Sequence, residues 1–435
     1  SGLKFAEWEY GPQKRLLASI TGDHEFRSGF FKRFKSILSY QTVEESRITR
    51  SFGSTSRTVR TEDVDVLGYT VYLDREAERH DVRAGIDGQL STVQSTAFSE
   101  NILDGTLATA STRYPSGGNA MGNHALFVSH TWKISPQFIL NDGLRLTFTS
   151  LYSKFYDTTF YPFPFREVEQ TNTALCGNLG LVYRPAERWK FSLLGSSGFR
   201  SPNVDDLAKV FDSSPGSVIM PNPELGPERL WSVESSVGLR IGEVYFEGTA
   251  FHSWFDRAIV ILPGTFNGSD SIIYDGVQSA VRTSFNERSA FVQGLSGSME
   301  AELGKRLHFV ASVTYTKGRI VEGGGQSPLD HIPPVFGRIS LRYDYKSMDI
   351  ESFFLFNGKK PISEYLLNGE DNERYALPQG MPSWSTLNFR ASWKASKLFK
   401  LQAGIDNVFD VNYRTFSSGI QAPGRNFIFA VRVGF

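Results

Sequence analysis

Seven histidines, at positions 24, 80, 124, 130, 252, 308 and 331, and a single cysteine, Cys176, are the residues with most chemistry to offer. The histidines are scattered, with no metal-spaced cluster and no Ser/His/Asp set beside them. Cys176, in NTALCGNLGLVY, reads as a small packing residue at an inward strand position, because a nucleophile needs a His or Asp partner that the sequence does not advertise. The expectation is a chain that is not an enzyme and carries no cofactor and no metal. What remains is a capacity to grip. Arg200 precedes a long polar stretch, His331 stands in LDHIPPVFGR, and Tyr114, Tyr274 and Tyr365 lie on similar stretches. Aromatic faces of this kind hold a planar ligand or a sugar by stacking, and they equally close loops over one another. The acidic run NGEDNE is short and reads as a solvated loop tip.

Whatever these residues hold, strands must position them. In NFIFAVRVGF, Phe427, Phe429, Val431, Val433 and Phe435 fall on one face, with Asn426, Ile428, Ala430, Arg432 and Gly434 on the other. RLWSVESSVGLRI, RLHFVASVTYT, TLNFRASWK and LQAGID alternate in the same way. Counting such segments gives roughly 17 or 18 strands, and almost nothing reads as helix. Their connections alternate in length. Short turns fall at 184–188, 241–243, 303–306, 344–347 and 394–397, and long Gly/Ser/Asn/Pro-rich stretches at about 96–123, 201–228, 263–288 and 357–383. Alternating short and long loops are the pattern of an outer-membrane barrel, and aromatics near strand ends fit an interfacial girdle. Forty glycines and 14% aromatics beside only 40% hydrophobic residues suit the same reading. The fold class expected is therefore all-β, a transmembrane antiparallel β-barrel, since strands that span a bilayer must close to satisfy their backbone.

The bulk numbers exclude other classes. Lys plus Arg and Asp plus Glu are both 46, so nothing suggests a nucleic-acid partner. No run of about 18 apolar residues offers a membrane helix. SGLKFAEWEY has neither the basic start nor the apolar centre of a leader, so Ser1 reads as an internal start.

GIDNVFDVNYRTFSSGIQAPGRNFIFAVRVGF resembles the C-terminal box of the TonB-dependent outer-membrane receptors, with its Asn-hydrophobic-Phe-Asp run at 407–410, then Tyr413 and a last strand ending in Phe. GFRSPNVDDL followed by PNPELGPERLWSVE is similar to a mid-barrel signature of that family, and so is IPPVFGRISLRYDY. The early run GPQKRLLASI…ILSYQTVEESRITRSFGS looks like barrel strands of a Bacteroidota-like branch. The resemblance covers most of the chain. It implies structural roles for Pro202, Asn222, Pro223, Glu228, Asn407, Phe409 and Tyr413, and an assembly-signal role for Phe435. It also implies a plugged barrel of roughly 22 strands, of which residues 1–435 would be the C-terminal portion, with plug and first strands in a separate segment.

On that resemblance the chain is expected in the outer membrane of a Gram-negative bacterium, importing a siderophore, haem, cobalamin, sugar or peptide with TonB-derived energy. The implied partners are outer-membrane lipid, a TonB-type energy-transducing protein and a surface lipoprotein or other envelope subunit. A passive porin and a structural subunit of an envelope complex are the alternatives. FRSP and NPEL resemble the paired motifs that flank a haem-ligating histidine, but no histidine lies between them, which weakens the haem reading. Arg200, Tyr114 and His331 are the candidate substrate contacts. Phe435→Ala should lower the yield of folded protein in membranes, checked as the amount surviving in the outer-membrane fraction; an unchanged yield contradicts an assembly role.

Overall fold

The computed structural model describes residues 5–434 apart from Pro215, Asp275, Gly276, Gly323, Leu367, Asn368 and Glu370. Phe435 therefore lies outside the described residues. The wall begins with β1, which has two segments, Phe5–Tyr10 and Lys14–Glu25, separated around Pro12. Both segments pair with one neighbour, so they act as one strand broken where proline supplies no N–H. The wall continues through β2 (Arg33–Ser51), β3 (Ser56–Glu76), β4 (His80–Asn101), β5 (Asn119–Lys133) and β6 (Phe138–Lys154). Next come β7 (Glu167–Ala186), β8 (Trp189–Arg200), β9 (Glu228–Ile241), β10 (Val244–Pro263), β11 (Val277–Glu302) and β12 (Leu307–Glu322). The last are β13 (Phe336–Tyr345), β14 (Met348–Asn357), β15 (Trp384–Lys394), β16 (Phe399–Asp406) and β17 (Asn426–Val433). Each strand is hydrogen-bonded antiparallel to the next, from β1 through to β17.

The period-two pattern explains the two faces. Leu295 lies between Ala250 and Tyr315 and is 60% exposed, and the next residue, Ser296, lies between Thr249 and Thr314 on the other face. Leu144, Phe148, Leu175, Leu179, Leu193, Trp231 and Trp254 belong to the same outward apolar band. At its short-turn end Phe138 stacks on Tyr183 at 4.4 Å, and Tyr183 and Trp189 both flank Phe191. Such a belt sits at a membrane interface. The inner face carries charge in pairs. Arg145 grips Asp87 through two 2.6 Å bonds, Arg83 bonds Asp74, Arg338 bonds Glu351 and Arg390 bonds Asp406. On β17, Phe427, Phe429, Val431 and Val433 point outward, as their alternation predicts. Among the described residues, the outer edges of β1 and β17 carry no strand partner.

Connections at one end are short, at 134–137, 187–188, 242–243, 303–306, 346–347 and 395–398. At the other end, apart from the short turn 52–55, they span 102–118, 155–166, 201–227, 264–276, 323–335, 358–383 and 407–425. Two of these loops are narrower than the sequence suggested, because β4 continues to Asn101 and β11 starts at Val277. Beyond the bilayer a hairpin keeps its hydrogen-bond ladder while both faces turn polar, so alternation ends before the strand does. The Arg57–Glu100 pair across β3 and β4 belongs to such an extension.

Leu295→Arg places a cation on the lipid face and should cost about 2–4 kcal/mol of folding stability. Ser296→Arg, on the inner face, should cost far less. Urea titration of the protein refolded into vesicles checks the difference, and equal losses contradict the assignment of faces.

Candidate functional site at the loop-bearing mouth

The long loops build their own core over the inner face. Leu151, Phe155, Val168, Val204, Leu207, Ala208 and Leu225 form one buried cluster, with Tyr114, Phe163 and Phe165 packed on it. Val210, Val218, Met220 and Val281 form a second, flanked by Tyr161, Phe266 and Tyr274. Phe163 belongs to both, with ring centroids 5.1 Å from Phe155 and from Phe165. Ser217–Met220 lies parallel to residues 280–283 of β11 and ties the second cluster to the wall. Tyr114 and Tyr274 thus sit where the loops meet, and Tyr365 is buried in a third loop.

Beneath Tyr114 lies a buried charged group. Glu62 on β3 is 1% exposed, accepts from Arg113 at 3.0 Å and is reached by the Ser95 hydroxyl. Arg113 also bonds Glu45, and its guanidinium lies over the Tyr114 ring. Lys209, from the 201–227 loop, bonds Asp205 at 3.1 Å and also approaches the Tyr114 ring. Burial, reinforced by Asp205, pushes the Tyr114 phenol well above its ordinary pKa. Burial also lowers the Lys209 ammonium, against the pull of Asp205. Loop and wall are locked together by these contacts.

Arg200 ends β8, facing the mouth as parity predicts. It donates to Glu228 through Nε and to Asp206 through a terminal nitrogen, both at 2.9 Å. Asp206 closes a capping box with Asn203 on the short helix Val204–Leu207, directly after the fully buried Pro202. The second oxygen of Glu228 accepts from the backbone of Ile259 at 2.8 Å. Asn222 donates to the carbonyl of Ser284 and accepts from the N–H of Glu224, across the turn that contains Pro223. Asn286 bonds both backbone groups of Gly226. The segment 201–227 is thereby a fixed support.

His331, at the start of the approach to β13, adopts a left-handed φ of 64°. Its backbone N–H bonds both oxygens of Asp371, and its imidazole Nδ1 lies 3.3 Å from that carboxylate. Lys360 bonds Asp371 and the carbonyl of Ile332, while its ammonium lies over Tyr365 and Phe416. Lys360 and Asp371 are each 3% exposed. Burial pushes the Asp371 carboxyl up, but His331 and Lys360 outweigh it and hold its pKa below the usual carboxylate range. Burial holds the Lys360 ammonium below its ordinary value despite Asp371. The loop is pinched shut by a two-stranded contact between 360–361 and 380–381, where Gly380 has φ of 97° and its missing Cβ would strike the Lys360 carbonyl. The exposed imidazole edge of His331 opens on a cavity of about 230 Å³ lined by Ile259, Val260, Ile320, Leu329 and Leu366, with Glu228 at its margin. His331 therefore lines an apolar cavity together with Glu228, the carboxylate that Arg200 bonds, while Arg200 is not in its lining and Tyr114 lines a different part of the mouth.

Asn407, at φ of 51° and buried, ties its loop by bonding the N–H and C=O of Val411 and receiving support from Asn388. Asp410 caps Arg425 across the same loop, Phe409 is 70% exposed, and Tyr413 packs on Trp384. Lys360, Arg113 and Glu62 escaped the sequence reading, and Asp371, in the NGEDNE run read as a solvated loop tip, is instead buried because Lys360 and His331 bind its carboxylate. A buried charge on a strand reads like any polar inward residue, and its partner lies in a distant loop.

A family model described as TonB dependent receptor-like, beta-barrel, matches residues 3–408. Lactoferrin-binding protein A of Neisseria meningitidis is 22% identical over 296 residues, which is 59% of this chain and 31% of that protein. Among solved structures, the copper transporter OprC superposes with a TM-score of 0.79 at 16% identity, over 99% of this chain and 66% of its own. The FrpB iron transporter of Neisseria meningitidis (F3-3 variant) gives 0.67 at 15%, over 96% of this chain and 62% of its own. The chain thus spans about two thirds of the length of these solved structures.

A depressed carboxyl pKa stabilises the fold above the unfolded value of about 3.9 and loses that contribution as pH falls through the folded value. The loop 358–383 should therefore resist pepsin at pH near 4 and become cleavable on further acidification. His331→Ala, which removes one of the contacts holding the pKa down, should move the onset to higher pH; an unmoved onset contradicts the assignment.

Proposed function

The chain belongs to the TonB-dependent receptor β-barrel family, and from that premise we propose that it forms the wall and mouth of a receptor importing a scarce nutrient across the outer membrane of a Gram-negative bacterium. One observation carries the reading. Long loops fold inward onto the inner face at one end, leaving a pocketed mouth above a wall many of whose inner charges are paired, as Arg145 is with Asp87 and Arg83 with Asp74. A receptor must select at its outer face and then pass the ligand through an interior that does not trap it.

Transport-type relatives named for copper and iron favour a metal-bearing ligand within the siderophore, haem, cobalamin, sugar or peptide range. His331 lines the cavity under the 323–335 and 358–383 loops and Arg200 stands behind its lining carboxylate Glu228; these two are the ligand contacts of this reading. Tyr114, at the loop–wall junction, supports the shape of the mouth from the side. Energy would come through a TonB-type partner. The wall would be completed by further strands, because β1 and β17 run in the same direction and only an odd number of strands can join them antiparallel. A barrel of about 22 strands meets that condition.

Uptake of radio-iron supplied as ferric citrate, and of radio-copper as the free ion, tests the function in cells producing the complete receptor. Accumulation of one of these should fall to background when TonB is deleted or the proton gradient is collapsed. Accumulation that survives both treatments contradicts energised transport.

A further inference from the structure

A second cavity, of about 250 Å³, opens between the 358–383 and 407–425 loops, away from His331. Three aromatic rings surround it. Trp384 and Tyr413 pack at 4.3 Å with an interplanar angle of 36°, and Tyr375 is the third ring of the lining. Met381 and Pro382 supply an apolar floor. The polar lining is lopsided. The indole Nε1 of Trp384 is buried and has no hydrogen-bond partner among the described residues. An indole N–H is a donor only, and leaving it unmet in a dry site costs about 1–3 kcal/mol. Arg414 spends one N–H on the Tyr375 carbonyl at 2.6 Å, and no carboxylate of the described residues pairs with it. No acidic residue contributes to the lining, and the amide of Gln421 completes it.

A cavity with a guanidinium that no carboxylate of the described residues neutralises, no acid in its lining and three ring faces selects against cations and in favour of an anionic acceptor attached to a ring. Guanidinium prefers carboxylate in a bidentate contact, and a ring face stacks on indole and phenol. The volume lies just below the range of about 300–1,000 Å³ typical of drug-sized ligands, so one ring fits. We propose that this cavity is a binding site for a small ring-bearing carboxylate, with the carboxylate on Arg414 and the ring against the aromatic lining supplied by Trp384, Tyr413 and Tyr375. The ring is an aromatic or a pyranose one, since both present a stacking face. This goes beyond the transport reading and does not depend on it, because the site is complete in two loops and binds without energy input.

The test is titration of the purified full chain in detergent, followed by calorimetry or saturation-transfer NMR, with benzoate and glucuronate as probes and benzamide and glucose as neutral counterparts. At least one acid should bind, about tenfold or more tighter than its neutral counterpart. Arg414→Gln should weaken that acid about tenfold, and Trp384→Ala, which removes a lining ring, several-fold. Benzoate binding marks an aromatic acid and glucuronate binding a sugar acid. Neither acid binding at about 10 mM, neutral compounds binding equally well, or an Arg414→Gln variant that binds unchanged would each overturn the proposal. The comparison of acid with neutral probe uses unmodified protein, so the test stands even where a variant folds poorly.

Discussion

Every backbone amide that enters lipid must find its partner sideways, and the rest of this structure follows from that requirement. An antiparallel meander meets it with short turns, and alternation along each strand separates a lipid face from an inner one. Leucine and phenylalanine then occupy one parity and charged or hydroxyl side chains the other, as at Leu295 and Ser296. Many of the inner charges are paired. Arg145 with Asp87 and Arg390 with Asp406 keep guanidinium and carboxylate neutralised within the wall. Pro12 breaks β1, whose other edge carries no partner among the described residues, where a missing N–H does least harm.

Beyond the bilayer the constraint relaxes, and another takes over. Long loops have to bury polar groups without water, so each buried charge is matched by a named neighbour. Glu62 has Arg113, Lys360 has Asp371, and Asn407 ties both ends of its own loop. Breaking one member of such a pair is costlier than the pair's net worth, since the other is left charged and desolvated. That makes the mouth a set of fixed supports around two small cavities. Several buried polar atoms of the described residues are left without a partner, Trp384 Nε1 among them, and it is the Trp384 ring with Arg414 that marks the second cavity.

The wall was legible in the sequence because lipid enforces a period of two over many residues. The outward set Phe427, Phe429, Val431 and Val433 and the inward placement of Arg200 could be read directly. Loop contacts were not legible. The partner of His331 is Asp371, separated in sequence by most of two strands and a loop, and no local pattern links them. Strand ends were misjudged near residues 96–101 and 277–288, where the ladder persists after the apolar face has stopped. The motif residues Asn222 and Asn407 were legible as family features, but their work, bonding backbone groups across turns, came only from the geometry.

The central claim is that one parity of these strands meets lipid and the other meets the barrel interior. Spin labels placed singly along β7 from residue 173 to 182, in a chain with Cys176 replaced by alanine at all other positions, test it directly once the protein is in bilayers. Accessibility to dissolved oxygen should peak at 173, 175, 177, 179 and 181, and accessibility to a water-soluble nickel chelate at the residues between. A flat profile, or one with a helical period, would contradict the account.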